Sequence, residues 1–142
     1  MEKFVTTTPK ETAKVARSLA SRVRGGVVVA LYGDLGVGKT TFAQAFAKAL
    51  GIKKRVQSPT FILMQEYPIK KRGALKLFLH VDAYRGDEAQ FTHVGFSEYA
   101  GRPDTVVLVE WAERVEKLLP KKRINVRLSH RGGDARGITI TG

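Results

Sequence analysis

The stretch from Val27 to Gly51 constrains the fold more than any other part of the sequence. Val27-Val28-Val29-Ala30-Leu31-Tyr32 is a continuous apolar run rich in β-branched residues, the pattern of a central strand buried on both faces in a largely parallel sheet. Gly33-Asp34-Leu35-Gly36-Val37-Gly38-Lys39-Thr40 follows at once and fits G-x-x-x-x-G-K-[ST]. From Thr40 to Leu50 the residues Phe42, Phe46 and Leu50 recur at helical spacing, and Gly51 suits a left-handed helix end. Strand, glycine loop and helix in this order are the context in which that pattern binds a nucleotide triphosphate.

The chemistry follows from the residue types. Glycines let the backbone bring its N–H groups close to phosphate oxygens, and the positive end of the following helix adds to the attraction. The segment Gly33, Asp34, Leu35, Gly36, Val37, Gly38, Lys39, Thr40 and Thr41 is therefore expected to hold the nucleotide. Lys39 would span the β- and γ-phosphates, the Thr40 hydroxyl would ligate Mg²⁺, and Thr41 would lie nearer the α-phosphate.

Such a loop needs a carboxylate at the end of a neighbouring strand to hold the ion and orient the attacking water. Leu77-Phe78-Leu79-His80-Val81 runs into Asp82, and Val106-Val107-Leu108-Val109 runs into Glu110. Each acid would sit at the carboxyl edge of a strand, where ligands bind in open α/β sheets. Trp111 reads as core packing or a helix staple, with a water-excluding wall as the functional alternative. His80 shows no zinc-type spacing with His93 or His130 and is expected to orient a neighbour. Arg85, three residues after Asp82, is expected to pair with it, the alternative being an approach to the γ-phosphate.

Elsewhere, Thr8-Pro9-Lys10-Glu11 supplies an N-cap threonine, a first-turn proline and a glutamate at the third helical position, opening a helix with the stripe Val15, Leu19, Val23. Strands are expected at Phe61 to Tyr67, Ala74 to Val81 and Thr105 to Val109. A helix is expected over Ala112 to Leu119, ended by Pro120, and a short helix with loops between Gly86 and Gly101. At the C-terminal end, Ile124, Val126 and Leu128 alternate with polar residues, and Arg131-Gly132-Gly133 turns the chain towards Ile138 and Ile140, an antiparallel hairpin. The expected architecture is α/β and P-loop NTPase-like: a mixed, mostly parallel central sheet flanked by helices, with that hairpin at the end.

At 142 residues, with no linker or repeat, the chain reads as a single domain over residues 1–142. The absence of cysteine excludes disulfides, thiolate metal sites and a cysteine nucleophile. No apolar run reaches the roughly 20 residues that span a bilayer, and the start lacks the apolar core of a signal peptide, so a cytoplasmic protein without membrane contact is expected. Lys and Arg number 25 against 13 acidic residues, a net charge of +12. Part of the excess lies in Lys53-Lys54-Arg55, Lys70-Lys71-Arg72 and Lys121-Lys122-Arg123, clusters that favour anionic partners or are solvated loop charge.

Across most of its length the chain resembles the TsaE (YjeE) family, bacterial ATPases involved in making threonylcarbamoyladenosine on transfer RNA. Gly33 to Phe42 looks like the family's phosphate loop, and Ser58-Pro59-Thr60-Phe61 with Tyr67 like its switch-like segment. His80-Val81-Asp82-Ala83-Tyr84-Arg85 resembles its H-x-D-x-Y-R motif, and Val109-Glu110-Trp111 with Glu113-Arg114 its E-W segment. The resemblance implies ATP and Mg²⁺ as cofactors, with Lys39, Asp82 and Glu110 catalytic. It further implies that Thr40 and Glu110 hold the metal, that Asp82 assists hydrolysis, and that Ser58 and Thr60 lie on a nucleotide-responsive loop. As partners it implies the threonylcarbamoyl transferase subunit and its non-catalytic paralogue. The strong basicity departs from a purely protein-binding ATPase and leaves direct contact with transfer RNA open.

Two other readings compete. A small P-loop kinase would need an acceptor pocket and lid arginines, and no arginine-rich lid insertion is evident. A nucleotide-sensing RNA-binding module has the basic clusters in its favour but no recognition signature with interleaved aromatics. A GTPase is disfavoured because no Asn-Lys-x-Asp occurs. The adenine pocket has no motif behind it, the residues near Thr8 to Thr12 being the candidate.

Overall fold

The computed structural model describes residues 1–57, 64–70 and 73–142. Its elements in chain order are β1 (Glu2–Thr6), α1 (Pro9–Ala20), β2 (Val28–Tyr32), α2 (Lys39–Ala49), β3 (Met64–Pro68), β4 (Leu77–Asp82), α3 (Glu88–His93), α4 (Phe96–Ala100) and β5 (Thr105–Glu110). Two 3₁₀ turns, Ala112–Arg114 and Glu116–Leu118, then lead into β6 (Ile124–His130) and β7 (Arg136–Thr141). The strands form one seven-stranded sheet in the order β1-β7-β6-β2-β5-β4-β3. β4, β5, β2 and β6 run parallel at its centre, while β3 and the β6–β7–β1 meander are antiparallel. The mixed α/β architecture and the C-terminal hairpin are as the sequence implies.

Side-chain alternation divides the core into two layers. Val29 and Leu31 of β2, Phe78 of β4 and Val106 and Leu108 of β5 face α1 and α2, packing on Leu19, Phe42 and Phe46. Val28, Ala30, Leu79, Val81, Val107 and Val109 face the opposite layer, where Phe91, Phe96, Ala112 and Val115 cover them. Burial on both faces explains why β2 and β5 read as unbroken apolar runs; every residue of each is buried. No described helix is long and apolar enough to cross a membrane.

Several local expectations hold. Thr8 caps α1, its hydroxyl accepting from the Glu11 N–H at 3.2 Å, and Pro9 opens the helix. Val15, Leu19 and Val23 are buried, although the helix ends at Ala20 and Val23 lies in the turn beyond it. Between Gly86 and Gly101 there are two short helices rather than one, the first held by a capping box between Asp87 and Gln90. The strand expected from Phe61 begins, within the described residues, at Met64, and the one expected from Ala74 begins at Leu77.

Two expectations are corrected. The helix over Ala112 to Leu119 is a pair of 3₁₀ turns separated by Val115, which stands at φ −130° and ψ 25°. Ala112, Val115 and Leu118 or Leu119 satisfy a three-residue turn as well as a helical one, so spacing alone did not separate them. Strand β1 was not anticipated. Its residues are mostly exposed, and its place comes from pairing with β7, Phe4 opposite Ile138, on the sheet edge.

Candidate functional site

β2 delivers the chain to the carboxyl edge of the sheet at Tyr32. A Cβ on Gly33 would lie 2.6 Å from the Leu128 carbonyl oxygen of β6, at a φ of 146°, so only glycine lets the chain leave β2 here. The loop closes on itself through Val37 N–H to the Asp34 carbonyl, 3.2 Å. Gly38 then precedes α2 without any side-chain cap, leaving the first-turn N–H groups of an eleven-residue helix available to an anion.

Lys39, the first residue of α2, is buried at 5% exposure. Its ammonium donates to the Gly33 carbonyl and, at 2.9 Å, to the Asp34 carbonyl. It also lies 3.7 Å from the centroid of the Trp111 ring. Burial pushes its pKa down from the ordinary lysine value, against the attraction of Glu113, Glu110, Asp34 and Asp82. The lysine is thus folded back on its own loop, braced by carbonyls and an aromatic face.

Strand parity brings the acids to this end. Phe78, His80 and Asp82 share one face of β4, as Val106, Leu108 and Glu110 share the same face of β5, and it is the face covered by α2. The parallel register sets Asp82 beside Glu110. One oxygen of Glu110 receives the Thr40 hydroxyl at 3.3 Å; the other lies 2.6 Å from His80 Nε2. His80 is fully buried and its Nδ1 has no partner among the described residues, so with Nε2–H donating to the carboxylate the ring serves to fix Glu110. Asp82 accepts from the Tyr84 N–H at 2.9 Å. Its pKa is raised above the usual aspartate value mainly by burial, with neighbouring Glu110 adding and the Tyr84 hydrogen bond, His80 and Lys39 opposing.

Trp111 is partly buried and packs against the layer of Val107, Val109 and Ala112, as the core-packing reading expected. It is the one non-glycine residue with positive φ among those described, at 58°, and this left-handed turn aims the ring away from the strand and over Lys39. Tyr84 packs against it at a tilt, ring centroids 4.9 Å apart and planes 43° apart, with the Arg114 guanidinium 5.2 Å from the Tyr84 ring. These aromatics and the loop enclose a hollow of about 360 Å³ whose lining includes Lys39, Thr40, Asp82, Glu110 and Trp111. Arg85 is exposed and forms no ion pair with Asp82, contrary to expectation, because the Asp82 carboxylate turns back to the Tyr84 amide. Ser58 and Thr60 lie outside the described residues.

A smaller hollow of about 190 Å³ adjoins the loop on its other side, lined by Thr8, Pro9, Thr12, Thr41, Asp134 and Arg136 among others. The residues near Thr8 to Thr12 therefore lie beside the loop. Arg136 was missed by sequence reading. It donates to the Val37 carbonyl at 3.1 Å and to those of Gly133 and Ala135, bracing the loop from β7. A lone arginine 99 positions from its partner carries no local signal.

The oxygens present suit a hard divalent ion. Thr40 Oγ1 and Glu110 Oε1 stand 3.3 Å apart, near the ~3 Å that separates adjacent ligands of octahedral Mg²⁺ with ~2.1 Å bonds. Among the described residues no group of three or more His, Cys, Asp or Glu could form a protein cage.

Residues 6–138 match the family model described as threonylcarbamoyl adenosine biosynthesis protein TsaE. A Bacillus subtilis relative named tRNA threonylcarbamoyladenosine biosynthesis protein TsaE is 41% identical over 139 residues, covering 98% of this chain and 84% of its own. The protein of that name from Treponema pallidum is 33% identical over 137 residues, covering 96% and 97%. The crystal structure of Bacillus subtilis YdiB superimposes with a TM-score of 0.79 at 37% identity, over 99% of this chain and 84% of that one. On the match along nearly its whole length, the chain belongs to the TsaE family.

Proposed function

We propose that this chain is a Mg²⁺-dependent ATPase that supports threonylcarbamoyladenosine modification of transfer RNA in the cytoplasm. The observation that carries the proposal is the Thr40 hydroxyl, at the uncapped start of α2, facing the Glu110 carboxylate at 3.3 Å with Asp82 in register beside it. The names of the relatives support the pathway.

Bound Mg²⁺ would supply charge neutralisation at the β- and γ-phosphates, held by Thr40 and Glu110. His80 keeps the Glu110 carboxylate aimed at that position. Lys39 exchanges its two loop carbonyls for phosphate oxygens. Asp82, held by the Tyr84 amide, accepts a hydrogen bond from the water that attacks the γ-phosphorus. The bond from the γ-phosphorus to the β–γ bridging oxygen breaks, ADP leaves with that electron pair, inorganic phosphate keeps the water's hydroxyl, and the water's other proton passes by way of Asp82 to solvent. Trp111 and Tyr84 limit water on one side.

The partners are the threonylcarbamoyl transferase subunit and its non-catalytic paralogue, with hydrolysis resetting that complex between rounds. Unaided turnover is expected in the slow range of ~10⁻⁴ to 10⁻² s⁻¹ known for unstimulated switch proteins. The test is Mg²⁺-dependent ATP hydrolysis with and without the transferase complex and transfer RNA, in wild type, Lys39→Ala, Asp82→Ala and Glu110→Ala. Stimulated turnover lost in the variants supports the proposal; full stimulated activity in Lys39→Ala refutes it.

A further inference from the structure

The three basic clusters have different fates in the fold. In the third, Arg123 is committed internally, to Glu116 at 3.0 Å, to Asn125 at 2.9 Å and to the Pro120 carbonyl at 3.0 Å. The first meets Lys70, the described residue of the second. Lys48 on the last turn of α2, Lys53, Lys54 and Arg55 after it, and Lys70 after β3 line two adjoining hollows of about 790 and 560 Å³ that share Gly51, Ile52, Lys53 and Lys54. Lys71 and Arg72 lie outside the described residues.

The chemistry of this groove is one-sided. Its single lining carboxylate, Glu66, already accepts from the Tyr99 hydroxyl. Among the described residues none of the five cations forms an ion pair. Lys48 has a structural role where a cation suits the helix carboxyl end, but the other four lie beyond the helix. The apolar floor of Leu50, Ile52 and Tyr67 is buried at 1%, 6% and 6% exposure. Among the described residues, the large hydrophobics that are exposed, such as Leu35 and Val94, lie elsewhere. Protein interfaces rest on exposed aromatic or apolar anchors; among its described residues this surface offers lysine and arginine heads and no exposed large hydrophobic side chain.

We propose that this groove binds the phosphate backbone of RNA, and that in the cell the RNA is the transfer RNA of the modification reaction, an identification that rests on the pathway proposed above. Contacts made by lysine ammonium groups to phosphates position an RNA without reading its bases. The groove lies at the carboxyl end of α2 and the candidate nucleotide site at its amino end, so the eleven-residue helix separates them by about 16 Å. RNA and ATP would therefore occupy opposite ends of one helix, and loss of groove charge would leave intrinsic ATP turnover unchanged.

The test is binding of a labelled transfer RNA transcript to the full chain, without nucleotide, between about 50 and 300 mM KCl. The variant is Lys53→Gln with Lys54→Gln. The control, Lys121→Gln with Lys122→Gln, changes net charge equally on the segment before β6, which is four places from β3 in the sheet. The groove variant is expected to bind about tenfold more weakly, with the log–log salt slope reduced by about 1.5. The control is expected to stay within about twofold of wild type. Equal losses in both variants, or none in the groove variant, overturn the proposal. So does a groove variant that keeps the RNA but loses the partner proteins. A poly(U) strand of matched length, bound equally well and weakened equally by the groove variant, upholds the backbone site while removing the transfer RNA identification. Failure of the ATPase proposal leaves this nucleotide-free measurement intact.

Discussion

Replacing His80 with leucine removes one half of a buried pair and leaves the other in place. His80 is fully buried, Glu110 is 2% exposed, and the 2.6 Å contact between them accounts for one of the carboxylate oxygens. The remaining oxygen keeps the longer Thr40 contact at 3.3 Å. A buried charge that loses its partner costs about 3–5 kcal/mol, a large share of the roughly 5–15 kcal/mol that holds a domain together. For a chain near this size each kcal/mol moves the melting temperature by about 2–4 °C, so His80→Leu is expected to melt at least ~6 °C lower. The double variant His80→Leu with Glu110→Leu should recover most of that loss, because two apolar side chains of similar volume leave no uncompensated charge. Thermal unfolding of the two singles and the double, read as a double-mutant cycle, measures the coupling directly. A single variant within ~1 kcal/mol of wild type, or a double as unstable as His80→Leu, would refute the reasoning that His80 holds the Glu110 carboxylate.

Other outcomes follow from the same geometry. Trp111 is the only tryptophan in the sequence, and its ring lies against the Lys39 ammonium; Mg·ATP should therefore change its fluorescence as Lys39 moves to phosphate, and an unchanged emission spectrum at saturating nucleotide would contradict that movement. The folded-state pKa of Asp82 is raised, so the native protein holds this proton more tightly than the unfolded chain, and stability falls as pH rises above the ordinary aspartate value of 3.8. Asp82→Asn should accordingly melt higher than wild type at pH 7, with the difference closing below pH 3.8, measured by calorimetry across that range. Gly33→Ala brings a methyl to 2.6 Å from the Leu128 carbonyl oxygen, whereas a Cβ on Gly36 meets nothing within 4 Å. Gly33→Ala should cost more than the ~1–2 kcal/mol expected of Gly36→Ala from backbone handedness alone, and equal denaturant midpoints would sink that distinction.

The sequence determined those features whose physics is local. An apolar run buried on both faces, a glycine loop and a helix with aromatics on one side made β2, the loop and α2 legible, because periodicity and turn chemistry act over a few neighbouring residues. The two strand-end acids were legible for the same reason. Tertiary structure decided which groups meet. Pairing of β4 with β5 set Asp82 beside Glu110, and the shared parity of those strands put His80 against the carboxylate thirty positions away. The left-handed turn at Trp111 laid over Lys39 a ring whose expected role was core packing or a helix staple. Arg136 reached the loop because the hairpin folds β7 back along β6, and β1 became a strand because β7 offered it an edge. Three basic clusters that look alike in sequence were separated only when Arg123 found internal partners and Lys53 and Lys54 met Lys70 beside the end of α2. Such contacts depend on strand order and register, which are set by the packing of the whole sheet and not by any one segment.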